Sequence, residues 1–131
     1  MWDIWRREDL DALRAFLREF QHLFPNALDP ASGPVQLKPG QDPVRSQLFM
    51  LQDAHRELLL RLYGVQAWHF EQRDGEGVFI PSGCAHQVRF VHAGVGRGVV
   101  VRTGALYANE TSVCFARCVQ LCDKCSLAQC C

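Results

Sequence analysis

A histidine delivered by a tight turn to the start of a strand makes a good metal ligand, and this sequence holds one at His86. Reading forward from Gly75, five residues lead to Pro81, one more to Gly83, and two more to His86. Gly75 permits the positive φ of a tight hairpin. Pro81 ends a strand and fixes φ, and Gly83 lets the chain reverse within a few residues. The reversal aims His86 at the mouth of a β-barrel, where a neutral imidazole can bind a divalent metal. The plainer alternative for His86 is a histidine hydrogen-bonded within a barrel wall.

Other side chains could ligate metal. His55-Arg56-Glu57 and His69-Phe70-Glu71 are both H-x-E strings. The first falls on the polar side of an expected helix, which favours a solvated face over a ligand pair. The second lies in an extended stretch, where residues two apart share a face. Trp68 and Phe70 are expected to take the core side there, turning His69 and Glu71 outward. Six of the seven cysteines crowd into residues 114–131. Cys122 and Cys125 have zinc-ligand spacing, and Cys118 and Cys130 could complete a tetrahedral thiolate set. Two alternatives stay open: a helix with Cys114, Cys118, Cys122 and Cys125 along one stripe, or an unrelated, poorly folded extension. Cys84, beside the turn, reads as a small buried filler rather than a redox-sensitive thiol.

The elements around these residues follow from periodicity. Asp9 is a candidate N-cap for a helix whose apolar stripe is Leu10, Leu13, Phe16, Leu17 and Phe20, and Pro25 stops it. Trp2 and Trp5 read as core rather than as an aromatic cage. Residues 25–43 hold five prolines and two glycines, the composition of a surface loop. A second helix starts near Asp53, runs through Leu58, Leu59 and Leu62, and closes at Gly64 with a left-handed cap. Strand signals follow at residues 65–72, at Val78-Phe79-Ile80 (a short buried strand), at residues 86–91, and again at residues 99–102. Closely spaced strands after two helices suggest an antiparallel β-sandwich or barrel decorated by helices.

Composition narrows the classes further. With 131 residues, the chain has room for one domain. Its 48% hydrophobic and 21% charged residues fit a globular segment rather than a disordered tail. Fourteen basic side chains balance fourteen acidic ones, so no net field draws it to nucleic acid or anionic lipid. No apolar run approaches the ~18 residues of a membrane span. The first residues lack a secretory pattern, and the clustering of cysteines argues against a disulfide scaffold. An intracellular, reduced domain is the expectation.

The G-x5-P-x-G-x2-H spacing is similar to the second half of the double-stranded β-helix signature of cupins and related oxygenases. The longer strings are more specific. Tyr63-Gly64-Val65-Gln66-Ala67-Trp68, followed by Gly77-Val78-Phe79-Ile80-Pro81-Ser82-Gly83-Cys84-Ala85-His86-Gln87-Val88-Arg89, resembles the carboxy-terminal half of the JmjC domain. The nearest group is the hairless-related demethylases of methylated lysine nine on histone H3. Trp2-Asp3-Ile4-Trp5-Arg6-Arg7-Glu8-Asp9 looks like that family's lead-in to its first helix, and residues 48–64 like its second.

The resemblance implies a mostly β fold with flanking helices, a partial double-stranded β-helix over residues 1–91, followed by a divergent cysteine-rich tail over 92–131. It implies an Fe(II)- and 2-oxoglutarate-dependent dioxygenase in which two histidines and a carboxylate hold the iron. An N-methyl group is hydroxylated and leaves as formaldehyde. His86 matches the third iron ligand. The family's H-x-D or H-x-E pair and its oxoglutarate-anchoring lysine belong to a stretch upstream of the Trp2-Asp3-Ile4 segment, and neither Lys38 nor Lys124 matches that lysine. The implied setting is the nucleus, with the histone H3 tail and chromatin as partners of the full-length protein, and the chain is expected to be inactive alone. Two alternatives remain: a catalytically dead JmjC-like interaction module, and a small metal-binding cupin.

Overall fold

Trp2, Asp3 and Ile4 alternate apolar, polar, apolar, and they form strand β1 (Trp2–Ile4), with all three side chains buried. The computed structural model describes residues 1–73 and 75–89, together with the backbone of two later strands, Thr103–Gly104 and Ser112–Phe115. The sequence reading began with a helix and had no strand here. Three residues carry too little periodicity to register alone, and this strand exists because two distant strands pair with it. On one side it meets β2 (Trp68–Phe70), with Asp3 opposite His69. On the other it meets β4 (His86–Arg89), with Ile4 opposite His86 and Asp3 opposite Gln87.

β5 (Thr103–Gly104) continues beyond β4, giving an antiparallel sheet in the order β2-β1-β4-β5. A second antiparallel pair joins β3 (Gly77–Ile80) to β6 (Ser112–Phe115), with Val78 opposite Cys114. The region read as a tail therefore lends one strand to each sheet. Cys114 lies on a strand, so a helical cysteine stripe does not begin there. Cys118, Cys122, Cys125 and Cys130, and the strand expected at residues 99–102, lie outside the described residues.

Two apolar clusters flank the larger sheet. Trp2, Ile4, Val78, Ile80 and Cys84 form one, with Phe70 and Val88 packed against it. It fills the space between the sheets. Only half of β3 is buried: Val78 and Ile80 face inward while Phe79 is 62% exposed. The expected fully buried strand is thus an alternating one, as a sheet covered on a single face requires.

The other cluster is the helix layer, containing Trp5, Leu13, Phe16, Leu17 and Leu59. Helix α1 (Leu10–Glu19) buries Leu10, Leu13, Phe16 and Leu17, and Phe20 packs at the margin, so the predicted stripe is borne out. Asp9 does stand at its N-cap, but the side chain makes no capping bond, and Arg7–Asp9 is a turn of 3₁₀ helix that feeds the α-helix directly. The loop at residues 25–43 is irregular, as expected, yet it and its flanks send Phe24, Val35 and Val44 into the core. Arg14 holds its far end through Asp42 at 3.0 Å. Burial works to raise the Asp42 pKa, but the backbone N–H groups of Arg45 and Val44 and the Arg14 charge outweigh it and hold the carboxyl below its ordinary value.

Helix α2 (Asp53–Tyr63) ends at Gly64 in the left-handed conformation, φ 66°, as read from sequence. Its cap is Gln52 rather than Asp53, in a reciprocal box with His55. The Gln52 backbone N–H donates to His55 Nδ1 at 3.1 Å, and the imidazole stacks on Phe24 with centroids 4.1 Å apart. His55 is therefore a capping residue against the core, not part of a solvated face. Of the three leucines assigned to α2, Leu59 is buried, Leu58 is partly buried and Leu62 is 53% exposed.

Candidate functional site

The turn that carries His86 forms as its residue types dictate. Gly75 and Gly83 both adopt φ near +82°. Gly83 also has a steric reason to lack a side chain, since a Cβ there would lie 2.8 Å from Cδ of Arg7. Arg7 closes over the turn, and the Cys84 N–H donates to the Pro81 carbonyl. The next residues lock the turn to the strand lead-in: the Trp5 N–H donates to the Ala85 carbonyl at 2.8 Å.

β4 begins at His86, and strand alternation sets its face. Ile4 and His86 are paired, as are Trp2 and Val88, so these side chains share the surface between the two sheets. The imidazole is half-buried, and its ring centroid lies 6.1 Å from that of Trp2. Nδ1 sits 3.3 Å from the Cys84 carbonyl oxygen. A carbonyl only accepts, so this contact requires the proton on Nδ1 and assigns the lone pair of the neutral ring to Nε2. Donation of one ring N–H to a backbone carbonyl is the usual way a ligating histidine is oriented.

An open groove runs alongside, about 560 Å³ in volume, lined by Ile4, Trp68, Phe70, Val78, Phe79 and Pro81 among others. His86 is not one of its lining residues.

The opposite face of the same sheet is polar, and a buried carboxylate gathers donors there. Asp3 is 1% exposed, and its carboxylate receives Arg56 Nη1, His69 Nδ1 at 2.6 Å and Gln87 Nε2 at 2.8 Å. Arg56 Nη1 also lies 2.9 Å from His69 Nδ1. Both cannot donate to one another, and a carboxylate only accepts, so the proton on Nδ1 belongs to the bond with Asp3. Arg56 and Arg89 both reach Asp53 as well. Gln87, equally buried, takes the Leu51 N–H on Oε1 at 3.0 Å and returns Nε2 to the Leu51 carbonyl at 2.7 Å.

This arrangement decides the fate of the second H-x-E string. His69 is on the helix side of the sheet with Asp3, whereas His86 is on the other side, so the two cannot share a metal. The expected core placement of Trp68 is corrected too: it is 53% exposed, with the guanidinium carbon of Arg6 6.0 Å above its ring, while Phe70 packs inward. Trp68 belongs to the inter-sheet face, as assigned, but β2 is the edge strand and that end is uncovered by described residues. Trp2 and Trp5 are core, and Cys84 is buried, as expected. The buried pair Asp3 and Gln87 was missed altogether. One signal was available: a lone acidic residue between Trp2 and Ile4 on a strand must either face water or find buried partners.

Among the described residues no three or more His, Cys, Asp or Glu side chains come close enough to hold a metal ion. His86 fits iron as a single donor by its tautomer and its face, but the described residues do not make a complete iron site. No helix among them is long and apolar enough to cross a membrane.

Two antiparallel sheets packed face to face, a histidine at the start of a strand after a Gly-Pro-Gly turn, and helices covering one outer face define a cupin-like double-stranded β-helix segment. The family model "JmjC domain, hydroxylase" matches residues 35–101, about half of the chain, and runs past the residue-91 boundary expected from sequence. The chain belongs to the JmjC family. It is 38% identical over 90 residues to lysine-specific demethylase JMJ27 of Arabidopsis thaliana, covering 68% of this chain and 10% of that protein. To lysine-specific demethylase JMJ29 of the same plant it is 40% identical over 93 residues, again 68% and 10%. It is also 35% identical over 88 residues to the plant's E3 ubiquitin-protein ligase JMJ24, covering 66% and 8%. The chain thus spans about a tenth of the length of these curated relatives. No solved structure matches.

Proposed function

We propose that this chain is the carboxy-terminal portion of the catalytic domain of an Fe(II)- and 2-oxoglutarate-dependent histone lysine demethylase, with His86 as one of its iron ligands. The observation that carries this reading is the JmjC match through the turn and its histidine, 35–101, in a chain whose His86 Nδ1 approaches the Cys84 carbonyl, which leaves the lone pair of the neutral ring on Nε2. The other iron donors and the oxoglutarate anchor come from outside the described residues. Iron with 2-oxoglutarate, when bound, supplies the oxidising power that removes an N-methyl group as formaldehyde.

This chain contributes three things. His86 presents one ligand from a strand whose register is fixed. Trp2, Ile4 and Val88 share the face of the sheet on which that imidazole stands. The helix layer backs the sheet and keeps water from its far face. The working partner is a methylated tail of histone H3 in chromatin, and the setting is the nucleus.

The test uses the full-length polypeptide that carries this chain, supplied with Fe(II), 2-oxoglutarate and a methylated histone H3 peptide. Formaldehyde release that disappears in His86→Ala supports the reading. Release that is unchanged in His86→Ala, or no loss of methyl mass from any H3 peptide, overturns it.

A further inference from the structure

We infer that Gln87 is a positioning residue for His86, holding the ligand strand in register from the opposite face of the sheet; this rests on the proposed role of His86. The two residues are neighbours in β4 and point to opposite sides. Gln87 is 1% exposed, and its amide is used almost to capacity: Oε1 accepts from the Leu51 N–H, and both Nε2 protons are donated, to the Leu51 carbonyl and to Asp3 Oδ2. Only one orientation of the amide satisfies all three bonds, because a flip would set donor against donor at Leu51 N and acceptor against acceptor at both oxygens.

These three bonds tie β4 to two other elements. Leu51 precedes the cap of α2, so one pair fixes the strand to the start of that helix. Asp3 fixes it to β1, and the same carboxylate collects Arg56 from α2 and His69 from β2. A slip of β4 by one residue would move His86 to the helix side and turn the Gln87 amide into the apolar space between the sheets, without its partners. Register in a strand with one apolar face is set by such penalties. On the other face of the strand, His86 Nδ1 approaches the Cys84 carbonyl at 3.3 Å. The face that His86 presents follows from the register that Gln87 holds.

Gln87→Met keeps the side-chain length and removes all three bonds; Gln87→Glu keeps the acceptor and loses both donors, and sets a second carboxylate against Asp3. The readouts are the ring NMR signals of His86 in the metal-free full-length polypeptide and its affinity for cobalt(II), a spectroscopic stand-in for iron(II), with His86→Ala as reference. The expected result is shifted or doubled His86 ring signals in both variants at unchanged helical content, and cobalt binding weakened about tenfold or more. Variants with wild-type ring signals and wild-type cobalt affinity overturn the inference. Cobalt binding that is absent, or indifferent to His86→Ala, overturns the ligand role but leaves the ring signals to judge Gln87. Should the variants unfold, the unmodified protein decides: slow exchange of the Gln87 side-chain amide protons, matching the β1 and β4 backbone amides, supports the inference, and fast exchange overturns it.

Discussion

The two faces of the sheet β2-β1-β4-β5 carry polar groups for opposite reasons. On the helix side, Asp3, Gln87, Arg56 and His69 bond to one another and to the backbone, and the buried carboxylate of Asp3 has three donors. On the inter-sheet side, one imidazole among the described residues, His86, stands with Trp2, Ile4, Val88 and the apolar face of β3. Polar residues that satisfy each other inside a fold hold it together. In the proposed ligand role, His86 instead serves a group outside its own packing. A strand such as β4, which presents Gln87 to one side and His86 to the other, joins the two tasks in adjacent residues.

Substitutions sharpen this contrast, and the largest effect belongs to the structural face. Asp3→Ala removes the buried acceptor shared by Arg56, His69 and Gln87, and breaking a buried pair by removing one partner costs about 3–5 kcal/mol. Urea denaturation should show that loss; a cost under about 1 kcal/mol would mean the network is incidental. A purely local device comes next. Gly64→Ala places a side chain at φ 66° at the end of α2 and should cost about 1 kcal/mol by the same measurement.

His86→Ala should be milder in stability, about 1 kcal/mol or less, since its contact to the Cys84 carbonyl is 3.3 Å against 2.6 and 2.8 Å for the bonds to Asp3. A cost like that of Asp3→Ala would make His86 a structural residue and erase the difference between the faces.

The smallest effect is a pH dependence from the helix layer. Burial lowers the His55 pKa below its ordinary value of 6.5, against smaller upward contributions from the Leu23 and Met50 backbones. The folded state thus binds fewer protons than the unfolded one. Its contribution to stability is complete above about pH 6.5 and declines as pH falls from there through the depressed folded value. Protonating Nδ1 also removes the acceptor for the Gln52 N–H. Chemical denaturation from pH 7.5 down to 5 should show the decline, and His55→Gln, which keeps a capping acceptor, should flatten it.

Much of the fold was legible wherever its cause is local. The stripe of α1, the Gly64 cap and the Gly75-to-His86 turn depend on residues within a few positions of one another, and each appears as read. The failures share a cause as well. β1 is three residues long and is a strand only because residues some 65 and 85 positions away pair with it. The faces of Trp68 and Phe70 were assigned correctly by alternation, yet the burial of Trp68 was not, because exposure depends on what covers an edge strand. The Asp3–Gln87 bond joins residues 84 apart, and no local pattern encodes it. His86 could be named because a turn and a family string both converge on it; the network behind it could not, because side chains on the far face of a sheet are chosen by tertiary partners.

The most direct test of the central claim is anaerobic equilibrium binding of Fe(II) to the full-length polypeptide, with and without His86→Ala. The account predicts one iron per polypeptide, bound at least about tenfold more weakly in the variant. Equal binding by the two proteins would contradict it.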